Sequence, residues 1–242
     1  MPQPAHCLNC GTPLKGKFCS NCGQKASTER ITAASLGASA LQSIVNLDKG
    51  FLFNLKQLTI APGVTIREYL AGKRKAVFKP VQYAIIAVTL LTLADSFFVT
   101  TAPIEADSVE NLIKAPIFSE LYQYGRFTMQ NLKYLWILNV FFFALPTYWF
   151  FKQYNFTEHL AINAFVVGHA ALVGTLFLPA GSIPALVKVV NAAPYVVMGL
   201  MYYFIFRPFG EIGEAIGISL LSVVVGSILS FLLPFLVLLP FL

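Results

Sequence analysis

Cys7, Cys10, Cys19 and Cys22 stand in CLNCGTPLKGKFCSNCG, two C-x2-C pairs with eight residues between them. Two residues between cysteines let both thiolates of one turn face a single ion. The glycine after each pair, Gly11 and Gly23, lets the turn close with backbone N–H groups directed at sulfur. Four thiolates in two such knuckles are the ligand set of a closed tetrahedral zinc site with no position left for substrate, so a structural zinc is expected. The gap is shorter than the roughly 15 to 20 residues of the commonest spacing, which makes this a minimal ribbon. Iron could take the same ligands, and two disulfides would need an oxidising compartment. So short a segment needs its metal to fold.

A second set of chemistry-bearing residues falls inside long apolar runs, where an ionisable group is costly and marks a functional site by default. Asp95 is expected deep in the first run, with Glu158, His159 and His169 at or within the third. On a helix, Glu158 and His169, eleven residues apart, return to nearly one face, and His159 and Asn163 share another. A carboxylate and an imidazole on one stripe could relay protons or hold a cation. Alternatively, Glu158 and His159 complement the dipole of a helix start at the membrane interface, and His169 only hydrogen-bonds a neighbouring helix.

The elements that carry these residues follow from composition. Of the 242 residues 57% are hydrophobic and 12% charged, half the charge of a soluble domain at about a quarter. The membrane is therefore the solvent, and no cleavable targeting peptide is visible in the polar first thirty residues. Five continuous apolar stretches are long enough for a helix to cross a hydrocarbon core, which takes about 20 residues: about 81–101, 133–151, 160–179, 185–206 and 214–238. The third and fourth, separated by AGSIP, read either as a tight hairpin or as two re-entrant halves. Pro146, Pro194 and Pro234 fall inside runs and mark kinks. The expected fold is an all-α integral membrane protein of about five transmembrane helices. A zinc ribbon (1–27) and an amphipathic helical neck (28–80) precede the bundle (81–242).

Orientation follows from charge. Residues 1–80 hold eleven of the seventeen Lys and Arg. With that end cytoplasmic, Lys152 and Arg207 also fall inside and only Lys114, Arg126, Lys133 and Lys188 outside, a clear positive-inside bias. Five spans then leave the C-terminus in the periplasm. In the neck, Leu36, Ala40, Ile44 and Leu47 share one helical face, and Phe51, Leu55 and Leu58 another after Asp48-Lys49-Gly50. Such helices lie at the membrane surface or pack against the bundle. Thr65 and Glu68 read as a capping box starting a helix over 66–71 that ends at Gly72. Beyond it Lys73, Arg74, Lys75 and Lys79 serve either as topology signal or as contacts to anionic lipid headgroups.

The order CxNCGTxLxGKFCxNCGQ, LDKGF at 47–51 and APGxTIREYLxGKRKxxFxPxxY at 61–83 resembles the DUF3667 family of bacterial membrane proteins. The likeness covers the first 85 residues, and NFTEHL at 155–160 is similar to a later part of the pattern. It implies a zinc ribbon on a multi-span domain in the bacterial inner membrane and brings no activity. The short run after the fifth stretch departs from the pattern by leaving no C-terminal domain.

Phosphate-loop, dinucleotide, zinc-protease and serine-hydrolase motifs are absent, which lowers the prior for an enzyme. GTPLKGKF offers two basic residues and one aromatic, too little for a nucleic-acid surface. The expectation is a non-enzymatic membrane protein with lipid around its bundle and a protein partner at its ribbon. A channel or transporter through Asp95, Glu158 and His169, or a lipid-acting enzyme, are the alternatives.

Overall fold

A computed structural model describes residues 4–26, 30–32, 35, 49–98, 124 and 136–238. Among these the chain is helical, and its only β-type pairings are two isolated bridges, His6 with Pro13 and Phe18 with Lys25. The expected helix through Leu36, Ala40, Ile44 and Leu47 and most of the 102–132 connection lie outside the described residues.

Seven α-helices follow the four-cysteine segment among the described residues. α1 (Lys49–Ile60) and α2 (Pro62–Leu70) form a hairpin; α3 is Pro80–Phe98 and α4 is Asn139–Phe150. After these come α5 (Phe156–Phe177), α6 (Val187–Phe206) and α7 (Ile212–Leu238). Among the described residues four stretches are long and apolar enough to cross a membrane: Pro80–Phe98, Phe156–Gly181, Val187–Phe209 and Ile212–Pro234. Of the expected second span the described part is Trp136–Phe150, α4 with the 3-10 turn before it, about 22 Å at 1.5 Å per residue against a core of about 30 Å; residues 133–135 lie outside the described residues. The third and fourth stretches are two complete helices rather than re-entrant halves, joined by 3-10 turns at Leu178–Ser182 and Pro184–Leu186. Pro146, Pro194 and Pro234 sit inside α4, α6 and α7.

Burial identifies the centre. Of the α5 span 72% is buried, against 17% for α7, so α5 is the core post and α7 faces outward. Lipid tails give no hydrophobic drive between helices, so close approach must come from small residues. Ala161, Ala164, Gly168 and Ala171 supply it on α5. At Gly168 an added Cβ would lie 2.9 Å from the Cα of Ala84, so α3 and α5 touch backbone to backbone there.

The neck segment packs into the bundle rather than lying free on it. α1 ends at Ala61, whose backbone breaks the helix (φ −141°, ψ 57°), and Pro62 opens α2 with its φ already set for a helix. This overturns the expected start at Thr65. That residue lies inside α2, and its hydroxyl donates to the Ala61 carbonyl at 2.9 Å instead of capping. Asn54, fully buried on α1, brackets the Phe78 backbone, with Nδ2 donating to the Phe78 carbonyl at 3.0 Å and Oδ1 accepting its N–H at 2.9 Å. α2 meets α6 at Gly63, where any Cβ would overlap the Phe204 carbonyl. Arg67 donates from Nη1 to the carbonyls of Phe204 (2.6 Å) and Ile205 (3.1 Å), groups the end of α6 leaves unpaired. Tyr69 stands edge-on to Phe165 of α5 at 5.2 Å.

Candidate metal centre and buried polar sets

The four cysteine Sγ atoms lie within 4.8 Å of one another. Cys7 to Cys22 and Cys10 to Cys19 are each 3.6 Å apart, pairs that cross between the knuckles. A zinc ion with sulfurs at about 2.3 Å needs S···S edges of about 3.8 Å, whereas a disulfide needs about 2.05 Å. The set fits a tetrahedral ion and not a pair of disulfides, and all four thiols are free.

Each knuckle is made the same way. The N–H of Gly11 donates to the Cys7 carbonyl (2.8 Å) and that of Gly23 to the Cys19 carbonyl (2.9 Å). These glycines, at φ +75° and +71°, let the turn close with backbone N–H groups directed at sulfur, as expected, and the groups are those of the residues that follow them. Their left-handed backbone turns the following residue back, so that the N–H of Thr12 reaches Cys10 and that of Gln24 reaches Cys22. The Thr12 hydroxyl and N–H hold the Cys10 thiol down to about 6. At Cys22 the Gln24 N–H also pulls down, yet desolvation and the three other sulfurs push the thiol up to about 11. With Cys22 pushed up, a metal ion held by these four sulfurs would displace a proton there.

The ribbon is tied to the helices. Gln24, buried, donates from Nε2 to the Gly72 carbonyl at 2.8 Å and accepts the Arg74 N–H at 3.1 Å. Leu8, in the first knuckle, covers Gly72 at the end of α2, where φ is +107° and a Cβ would meet Leu8 at 2.7 Å. Farther along, Arg30 forms a two-pronged ion pair with Glu158, at 2.8 and 2.9 Å. Glu158 also completes a capping box on α5: Asn155 accepts its N–H at 2.8 Å, and its carboxylate accepts the Asn155 N–H at 2.8 Å.

The intramembrane candidates separate into closed sets. Thr59 commits its hydroxyl proton to the Leu55 carbonyl at 2.7 Å, so it can only accept from His169 Nε2, 3.4 Å away. This leaves His169 Nδ1 to accept from the Tyr83 hydroxyl at 3.0 Å. Asn163 donates to Thr147 (3.0 Å) and to the His159 carbonyl (2.8 Å), and accepts from Tyr202 at 2.5 Å. His159 donates from Nε2 to the Phe151 carbonyl at 2.9 Å, and its Nδ1, buried among Tyr148, Phe151 and Tyr154, has no hydrogen-bond partner among the described residues. Glu158 and His169 never meet, being about 16 Å apart along α5 at 1.5 Å per residue. Asp95 is half-buried on α3, about 18 Å beyond Tyr83 by the same rise and three residues before the last one described there.

Residues 48–92 match the family model described as Protein of unknown function (DUF3667). Over that stretch the chain is similar to the DUF3667 family. No curated protein and no solved structure matches the chain. The DUF3667 segment comprises the α1–α2 hairpin, the basic run and most of α3; the cysteines and NFTEHL lie outside it. Within it, the four basic candidates divide. Lys73 pairs with Glu68 at 2.5 Å, and Arg74 donates to the Tyr69 carbonyl at 3.2 Å with its guanidinium 5.4 Å over the Tyr69 ring. Lys75, exposed beside Gly23, and Lys79, half-buried, make no ion pair among the described residues.

Sequence reasoning missed Gln24, Arg30, Thr59, Tyr83, Thr147, Asn155 and Tyr202. Only Asn155 carried a signal, because N-x-x-E before an apolar run is a capping box written in sequence. The same pattern, T-x-x-E, misled at Thr65 because Pro62 starts the helix first.

Proposed function

We propose that this chain is a non-enzymatic protein of the bacterial inner membrane. Its four-cysteine ribbon holds a structural zinc and offers a docking face to a protein partner, and the helical bundle anchors it. The observation that carries the reading is the single cluster of four sulfurs with tetrahedral spacing. Four thiolates saturate zinc and leave no coordination site for substrate, so the metal shapes the fold and performs no turnover. Lys15, Lys17 and Phe18 are exposed on the ribbon, with Phe18 at 64%. A bare aromatic flanked by two cations fits a partner that presents carboxylates around an apolar contact.

The bundle's hydrogen-bond sets support an anchoring role, since His159 through Nε2, Asn163 and His169 are each held by a protein partner. A cytoplasmic ribbon accords with the distribution of Lys and Arg and with thiols that must stay reduced.

The test has two arms. Full-length protein purified in detergent with zinc in the growth medium should carry one zinc per chain by elemental analysis, and Cys7→Ser with Cys10→Ser should carry none. Wild-type protein that stays metal-free defeats the metal reading. A photo-crosslinking residue at Phe18 should capture a protein adduct in cells that the double change Lys15→Glu, Lys17→Glu abolishes; an adduct indifferent to those charges defeats the docking reading.

A further inference from the structure

We infer that zinc at the four cysteines is a latch for the α1–α2 hairpin, so that metal occupancy sets how the DUF3667 segment sits on α5 and α6. The inference rests on the metal reading above and adds a regulatory consequence to it.

Both knuckles grip the same point. Leu8 belongs to the first C-x2-C turn and Gln24 to the turn that closes the second, and both act on Gly72–Arg74, directly after α2. The backbone at Gln24 is held by the knuckle itself, through the Cys19 N–H donating to the Gln24 carbonyl at 2.8 Å. The metal therefore fixes the relative position of Leu8 and Gln24. A segment this short has too little apolar interior to hold the two turns together without it.

From Gly72 the contacts run into the membrane. The N–H groups of Ala71, Gly72 and Lys73 donate back to Arg67, Tyr69 and Glu68, closing the last turn of α2. Arg74 sits over the Tyr69 ring, and Tyr69 stands against Phe165. One turn earlier, Arg67 holds the end of α6 by two carbonyls. The route from sulfur to α5 and α6 is continuous and short, and Gln24 is a link in it: one side chain supplies two hydrogen bonds between the second knuckle and the basic run. Loss of the ion frees Gln24, opens the end of α2 and loosens Arg67 and Tyr69 from their seats.

Hydrogen exchange on the full chain in lipid nanodiscs tests this, with zinc content measured on the same samples. In the zinc-loaded protein the amides of residues 71–73 should exchange slowly. Chelation should speed them at least tenfold, and returning zinc should restore the slow rate. Gln24→Ala should keep one zinc per chain yet exchange as fast as the chelated protein, with Leu8→Ala changing in the same direction. Slow exchange that survives zinc removal overturns the latch, as does slow exchange in zinc-loaded Gln24→Ala. A wild-type chain that never binds zinc overturns the metal reading instead, and the two failures are told apart by the zinc measurement. The chelation arm needs no variant, so a substitution that impairs folding leaves the test decisive.

Discussion

Gly11 and Gly23 act on the metal through the residue that follows each of them. At φ near +70° they turn the N–H of Thr12 and Gln24 toward sulfur, and a side chain at either position meets the left-handed penalty of about 1 kcal/mol or more. Gly23→Ala should therefore weaken zinc binding by about fivefold or more by that principle, measured by competition with a chromophoric chelator. Gly16→Ala is the control, because nothing lies within 4 Å of its added Cβ and its φ is not left-handed. Proton competition gives a second prediction. Thiols bind metal as thiolates. Cys10, held down to about 6, is already deprotonated at neutral pH, whereas Cys22, pushed up to about 11, must lose its proton on binding. Between pH 7 and 8 zinc affinity should rise about tenfold for each proton released, so a flat profile over that interval rejects a thiol at Cys22.

Hairpin α1–α2 shows where the sequence was legible and where it was not. The apolar runs announced α3, α5, α6 and α7 because unbroken hydropathy over about twenty residues is the length and character a bilayer core demands of a helix. The cysteine centre was equally plain, since its ligands are local and their spacing is the geometry. The hairpin was ambiguous because an amphipathic face looks the same whether it meets headgroups or helices. What resolves it is Gly63 against the α6 backbone, a contact with a residue 141 positions away that no local pattern encodes. The Arg30–Glu158 pair, 128 residues apart, escaped for the same reason. Three predictions belong here. Gly63→Ala must push α2 off α6 and should cost about 1–3 kcal/mol, the range for overpacking, seen as a lowered Tm in detergent; an unchanged Tm would mean that the hairpin does not rest on α6. Arg30→Ala should lower the Tm in the same detergent by less than Gly63→Ala does, because the arginine side chain is 60% exposed and water screens the pair, although its partner is 6% exposed. Glu158→Gln should cost less than Glu158→Ala, because the amide oxygen can still accept the Asn155 N–H.

Across the whole molecule the turns sort by end, and that sorting makes the topology testable. Phe151, beside Lys152, packs on Phe206 at 4.4 Å and Phe209 at 5.2 Å, which brings the α4–α5 and α6–α7 connections together. Arg30 reaches Glu158 at this same end, so the ribbon, Lys152 and Arg207 share one side of the bundle. Lys188 opens α6 at the other. This requires the stretch that ends in α4, Trp136–Phe150 among the described residues, to carry the chain back from the Lys188 side, and the aromatic residues Tyr148, Trp149 and Phe150, all partly exposed at its ribbon-side end, suit the headgroup level. In zinc-loaded membranes, where the native thiols are occupied, cysteines placed at Lys152 and Arg207 should react with an impermeant maleimide from the side that also digests the ribbon. A cysteine at Lys188 should react only from the opposite side. If Lys152 and Lys188 label from the same face, α5 does not cross, and the positive-inside assignment of the ribbon to the cytoplasm loses its basis with it.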